Sequence, residues 1–281
     1  MAQALMDRAG QFPEVNVVAV GRPQLDFENT ATIYPVLAEA RPDFIVNAAA
    51  YTAVDQAEGE PQRAFAVNRD GAAAVAAAAW RLAIPLIHLS TDYVFSGDKE
   101  TPYVESDETG PLGIYGKSKL AGESAVRTED PDALILRTSW VYSPFGSNFV
   151  KTMLRLAGER PELRVVDDQA GTPTSALDLA DAILGIVPLI RNLEGAGTTL
   201  HIAGAGAASW CGLAKQALET SRAMGGPWAD VAPIATAEYP TTVQRPANSR
   251  LDSSAFAARF GITLPDWRSG VEVTVRRLLK V

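Results

Sequence analysis

Only one cysteine occurs among the 281 residues. Cys211 therefore has no partner within the chain for a disulfide framework, which agrees with a reducing cytoplasm. Histidine is nearly as scarce. His88 and His201 lie far apart and, with Cys211, do not make the spacing of a zinc site. Each histidine sits between aliphatic neighbours and reads as a satisfied core residue. Positive charge is in deficit as well: 25 lysines and arginines against 33 acids leave a formal net charge of -8. That balance argues against general nucleic-acid binding, although a local basic pocket for a phosphorylated small molecule stays open. No apolar run approaches the length of a membrane span. No basic segment followed by an unbroken apolar core marks a secretion signal.

What is present is globular: 47% hydrophobic residues in a chain long enough for one large domain, or a large one with a small partner. Short apolar runs alternate with helical stretches. The pattern predicts a helix over 1–9, a β-branched strand over Val15–Val20 ended by Gly21-Arg22-Pro23, a helix over 30–40 and a strand over Phe44–Val46. An alanine-rich helix over 62–82, a strand over 86–90, a helix over 115–127 and a strand over 133–136 follow. This is the signature of an α/β fold with a Rossmann-like parallel sheet covered on both faces. Beyond it, helices are expected at 149–157, 176–190, 209–223 and about 270–279, and a strand at 163–166. Residues 1–145 are therefore expected to form a dinucleotide-binding domain, with a return of the chain at about 165–190. Residues 146–281 are expected to form mainly a smaller substrate-binding lobe.

One element of such a fold is missing. A first strand and a glycine-rich turn should precede the first helix, because glycines let the backbone close on the cofactor pyrophosphate at the helix N-terminus. Nothing of the kind lies ahead of Ala2-Gln3-Ala4-Leu5, and Gly10 follows the helix with no apolar strand before it. The fold is thus expected to be N-terminally incomplete. A start placed too late accounts for this better than a product impaired in cofactor binding.

The chemistry concentrates in 88–119. The 86–90 strand delivers Thr91 and Asp92 to its end, and Tyr115 and Lys119 are spaced i,i+4 at the opening of a helix, so both lie on one face. Reducing a ketone by hydride transfer puts negative charge on the carbonyl oxygen, which a donor must neutralise. A tyrosine phenol is protonated at neutral pH but weakly acidic, and a neighbouring ammonium is expected to lower its pKa. Tyr115 is the expected acid, Lys119 the electrostatic and ribose-holding group, and Thr91 a second donor to the same oxygen. A Tyr-x-x-x-Lys pair alone is weak evidence. Its place after Ser90-Thr91-Asp92 on a parallel strand strengthens it.

Further stretches carry a resemblance: Leu25-Asp26-Phe27, the run from Pro42 to Asp55, Ser90–Phe95, Tyr115–Glu123, Leu136–Tyr142, Asn148-Phe149, Asp168–Thr174 and Arg245–Asp252. Together they resemble the dTDP-4-dehydrorhamnose reductases, members of the extended short-chain dehydrogenase/reductase superfamily. The likeness covers nearly all of the chain except the missing turn. It implies NADPH or NADH as cofactor, a nucleotide-sugar 4-ketone as substrate, and a homodimer. By matching position, Thr91, Tyr115 and Lys119 are catalytic. Asp26 and Phe27 lie near the adenine, and Ala48, Ala49 and Ala50 pass under the cofactor. Asp92, Val94, Phe95, Trp140, Asn148 and Phe149 wall the sugar-nucleotide site. Some members bind magnesium through glutamates at a dimer interface; no convincing set occurs here, and no metal is expected.

Single residues sharpen this. Arg22 follows the second predicted strand, where a guanidinium meets a 2'-phosphate, and no acid stands right there, which favours NADPH or tolerance of both cofactors. Trp140 lies at a strand's carboxyl end, where open α/β sheets bind ligands. Arg245 or Arg250 can neutralise a diphosphate, with Lys151 a weaker candidate, the bland alternative being salt bridges that fasten the tail. Asn68 is expected to pin backbone near the site, whereas Asp55 and Glu58 read as loop or cap residues. Two rival readings stand: a non-catalytic nucleotide-binding regulator resembling the beta subunit of methionine adenosyltransferase, and a sugar epimerase or dehydratase on the same frame.

Overall fold

The computed structural model describes residues 1–190 and 197–281. Its centre is a parallel sheet of β1 (Ile45–Asn47), β2 (Leu86–Thr91), β3 (Leu134–Thr138) and the strand Thr199–His201, in that order. Register pairs Asn47 with His88, Thr91 with Thr138 and Arg137 with His201. Side chains alternate across it. Ile87, Leu89, Leu134 and Leu136 pack on one face with Ala4 and Leu5 of helix Ala2–Arg8 and with helix Ala176–Ile190. Ile45, Leu86 and Ile135 pack on the other with Leu37, Val75, Ala79 and Val126. Each fully buried Leu or Ile contributes roughly 1.5–3 kcal/mol. Burial on both faces is why these strands read as unbroken apolar runs.

The alternation also sends His88, Ser90 and Arg137 to the face covered by helix Ile114–Glu129, where Lys119 and Glu123 are buried. The alanine-rich helix forms as expected, but as Pro61–Phe65, a π-helical turn Ala66–Gly71 and Ala72–Leu82. Gly122 on helix Ile114–Glu129 lets the two helices lie close: a Cβ added there would stand 2.1 Å from the Asn68 carbonyl oxygen.

The strand expected over Val15–Val20 is not formed. Val15 and Val17 pack against the core, while Val18 and Val20 are 68% and 46% exposed. A strand needs a neighbour for its N–H and C=O groups, and no described strand lies beside this run. β1 pairs only with β2 and stands at the sheet's edge.

A second core gathers Val150, Met153 and Leu154 of helix Phe149–Ala157, Leu213 and Ala217 of helix Trp210–Ala223, and Val271 and Val275 of helix Trp267–Leu279. They surround the parallel pair Glu162–Val166 and Asp230–Ile234. Asp230–Ile234 and helix Ser254–Phe260 were not expected. The chain over 245–252 straps the two cores together. Its backbone bonds Tyr103 through Arg250 and Asp252, and Ala170 through Ala247 and Ser249. Among the described residues no helix is long and apolar enough to cross a membrane, and no acidic, histidine or cysteine cluster could hold a metal ion.

Candidate active site

The carboxyl end of β2 and the first turns of helix Ile114–Glu129 build the site. Thr91 ends the strand and caps the 3-10 turn Asp92–Val94 by accepting from the Tyr93 N–H at 3.2 Å. The helix lies hard against this turn because Gly116 has no side chain: a Cβ there would be 2.2 Å from the Tyr93 carbonyl oxygen. That approach sets the Tyr115 ring edge-on to Tyr93, beside the end of β2, at 5.6 Å between centroids. One turn on, Lys119 Nζ donates to the Leu89 carbonyl at 2.7 Å. Thr91 in turn donates to Asp92 Oδ1 at 3.0 Å, and Ser139 to Oδ2 at 3.0 Å. Ser249 accepts from Trp140 Nε1 at 3.1 Å. Asp92 is thus held by Thr91 and Ser139, and Trp140 by Ser249.

Burial dominates the acid–base state of all three ionisable members. It pushes Tyr115 up to about 12, against the opposing Thr91 hydrogen bond. It brings Lys119 down to about 8, with the Glu123 charge opposing. It raises Asp92 to about 6, against hydrogen bonds from Ser249, Thr91 and Ser139. The expected lowering of the tyrosine by Lys119 is therefore not what the geometry gives: desolvation outweighs it, and the ammonium is turned to the Leu89 carbonyl. Tyr115 is a firmly protonated donor through the neutral range. Thr91 has one proton, so it can serve Asp92 or a substrate oxygen, but not both at once.

The other expected residues divide into those near this centre and those engaged elsewhere. Ala48, Ala49 and Ala50 leave the end of β1 as irregular chain, with the Ala49 N–H on Asn47 Oδ1. Asn68 pins the same run through the Tyr51 N–H and carbonyl, and donates to Ser118 on the helix of Tyr115. Trp140 adopts a left-handed backbone (φ 46°) and stacks on Trp210 at 3.6 Å between centroids. Phe149 tilts against the same Trp210. Asn148 caps the 149–157 helix, accepting from the Lys151 N–H. Val94 and Phe95 are core residues in this structure: Phe95 is 1% exposed and stacks on Tyr103. Arg245 is paired with Asp55 at 2.9 Å, and Arg250 holds the Asn248 side chain. Arg22 is exposed, with only a 3.6 Å pairing to Glu28. Asp26 accepts from the Glu28 N–H, and Phe27 packs against Gly71.

Several contributors escaped the sequence reading: Ser139, Ser249, Trp210, the Asn47–His88 pair at 3.0 Å, and a buried Glu123–Arg137 ion pair. Glu123 alone carried a signal, continuing the i,i+4 series from Tyr115 and Lys119.

A nicotinamide cofactor fits part of this surface. Tyr115, Lys119 and the small side chains after β1 suit its nicotinamide and ribose, and exposed Arg22 suits a 2'-phosphate. No glycine-rich turn for the pyrophosphate precedes helix Ala2–Arg8 among the described residues.

A doubly covered parallel sheet with Tyr115, Lys119 and Thr91 gathered at its carboxyl end defines a Rossmann-like, NAD(P)H-dependent oxidoreductase. More narrowly, the chain belongs to the RmlD substrate binding domain family, which matches residues 1–280. It is 49% identical over 278 residues to the dTDP-4-dehydrorhamnose reductase of Sinorhizobium fredii, covering 98% of this chain and 93% of that one. It is 43% identical over 255 residues to the enzyme of the same name from Escherichia coli K12, covering 90% and 85%. Among solved structures it resembles the Bacillus anthracis dTDP-4-dehydrorhamnose reductase in complex with NADP, with a TM-score of 0.88 and 35% identity over 97% of this chain and 95% of that one.

Proposed function

We propose that this protein reduces the C4 ketone of dTDP-4-dehydro-L-rhamnose to dTDP-L-rhamnose, using NADPH or NADH. The observation that carries the reading is the placing of Tyr115 against the turn at the end of β2, with Lys119 one turn along, in a chain nearly half identical to a named reductase. The nicotinamide supplies the hydride when bound. Tyr115 holds a proton at Oη and gives it to the carbonyl oxygen as that oxygen gains negative charge, so hydride and proton together saturate the C=O bond. Thr91 fixes the phenol and, when released from Asp92, donates to the same oxygen. Lys119 supplies positive charge beneath Tyr115 and holds ribose hydroxyls. Ala48, Ala49 and Ala50 pass beneath the cofactor, Asp26 and Phe27 border its adenine, and Arg22 reads a 2'-phosphate.

Asp92 and Trp140 face the sugar, and Asn148 and Phe149 border the nucleotide. Arg245 meets the diphosphate on leaving Asp55. Val94 and Phe95 shape the site from behind, as buried supports of the Asp92 turn. The substrate lobe is the second core, and the dinucleotide-binding part is the sheet with its flanking helices, including 176–190. A homodimer and a cytoplasmic location belong to the same proposal, and it includes no metal.

Replacing Tyr115 with phenylalanine tests it. The hydroxyl is lost while the ring's packing is kept, so turnover of the keto-sugar should fall by roughly 10²–10⁴, with the fold unchanged by circular dichroism. Near-normal turnover would remove Tyr115 as the acid.

A further inference from the structure

A buried ion pair lies beneath the site, and the chemistry above does not use it. Glu123 Oε1 accepts from Arg137 Nε at 2.9 Å and from Ser90 Oγ at 2.5 Å, and Oε2 accepts from Arg137 Nη2 at 2.7 Å. Ser90, Glu123 and Arg137 are all buried, as is Lys119, which is 2% exposed. The Arg137 guanidinium also lies over the Phe95 ring, and its Nη1 is buried with no hydrogen-bond partner. As a device for stability alone this is a poor choice, because desolvating two charges offsets most of their attraction and apolar residues would do as well.

Position suggests what the pair does. Glu123 is one helical turn beyond Lys119 on the same face, while Arg137 reaches it from β3, a strand beyond the Leu89 carbonyl that holds the ammonium. We propose that the Glu123–Arg137 pair is a positioning unit for the reaction, in which the Glu123 carboxylate keeps the buried Lys119 amine charged and Arg137 sets how strongly it does so. This rests on Lys119 acting in the reaction as described above.

The other groups around Lys119 are accounted for. His88 on β2 is buried, bonded to Asn47 and held neutral by burial and by Lys119 itself. Asp92 is bonded to Thr91 and Ser139, and Tyr93 stands edge-on to Tyr115. On the helices packed against 114–129, Arg69 pairs with Asp70, Arg63 with Glu28 and Glu60, Arg81 lies over Tyr34, and Asp55 pairs with Arg245. His201 faces Arg137 and Glu123 from the strand beyond, and Arg127 lies one turn past Glu123. Glu123 is the charge that opposes Lys119's loss of its proton.

The two partners make opposite predictions for the charge on Lys119, and the basic limb of activity decides whether the reaction uses it. Glu123→Gln removes the carboxylate and leaves a lone buried cation, so Lys119 should lose its proton about one pH unit lower. Arg137→Gln leaves the carboxylate unneutralised, so Lys119 should lose it at higher pH. The Glu123→Gln/Arg137→Gln double variant, neutral at both positions, should titrate between the two. It also serves if a single variant does not fold. Titration of the Lys119 side-chain carbon by NMR, with the signal assigned by its loss in Lys119→Met, reads this directly. The basic limb of kcat/KM should follow it. Identical Lys119 titrations in wild type and variants would overturn the inference. If the NMR titration shifts and the activity limb does not, the pair sets the Lys119 charge without serving the reaction, and its positioning role falls together with the catalytic reading of Lys119.

Discussion

At the residue scale the site depends on how burial sets each proton. Burial pushes Tyr115 up to about 12, so no limb from it is expected in a pH profile through the neutral range. Lys119, brought down to about 8 by burial, is expected to contribute one. Its folded pKa lies below the ordinary lysine value, so the ammonium is present below about 8 and is lost as pH rises through it. Activity that needs this charge should therefore hold on the acid side of about 8 and decline above it, in a pH series of kcat/KM. A flat profile from pH 7 to well above 9 would show that the charge is not used. The Tyr115–Lys119 pair was legible because i,i+4 spacing is a local property of one helix. The Glu123–Arg137 pair was not, because its partners sit on different elements and a buried glutamate looks like a solvated one in sequence. Val94 and Phe95 follow the site in sequence, yet their backbone turns them into the core against Tyr103.

At the scale of elements, the site exists because the 114–129 helix lies against the turn after β2, and Gly116 permits that approach. Gly116→Ala would force its Cβ to 2.2 Å from the Tyr93 carbonyl oxygen, which is backbone and cannot turn away. The helix must move, at a cost of about 1–3 kcal/mol by analogy with overpacked cores. Tyr115 moves with it. Urea unfolding and turnover should both fall, whereas Gly10→Ala, with nothing within 4 Å of the added carbon, should change neither. An unaffected Gly116→Ala enzyme would mean that this contact does not place the phenol. The main strands and helices were readable because both of their faces or one clear stripe are apolar. The segment Val15–Val20 has every local property of a strand and still does not form one, since strand formation also needs a neighbour. Asp230–Ile234 escaped for the opposite reason. Pro233 argues against a strand, yet this one pairs on a single side only, where a proline is tolerated.

At the scale of the whole molecule, the sheet and the 114–129 helix carry the candidate site and the second core supplies Trp140's neighbours, with residues 245–252 joining the two. Ser249 on that strap accepts from Trp140 Nε1, so the strap reaches the candidate site as well as joining the cores. The alternation of strands and helices in the sheet was plain from the sequence. The strap's role was not, because its contacts are with residues far back in the chain. Hydride delivery to one carbon is tested most directly by supplying the protein with NADPH deuterated at the transferring position and with dTDP-4-dehydro-L-rhamnose, and following the product by mass spectrometry and NMR. The expected product is dTDP-L-rhamnose carrying one deuterium at C4, with one cofactor oxidised per product. Consumption of the keto-sugar without deuterium at C4, or without loss of reduced cofactor, would contradict it.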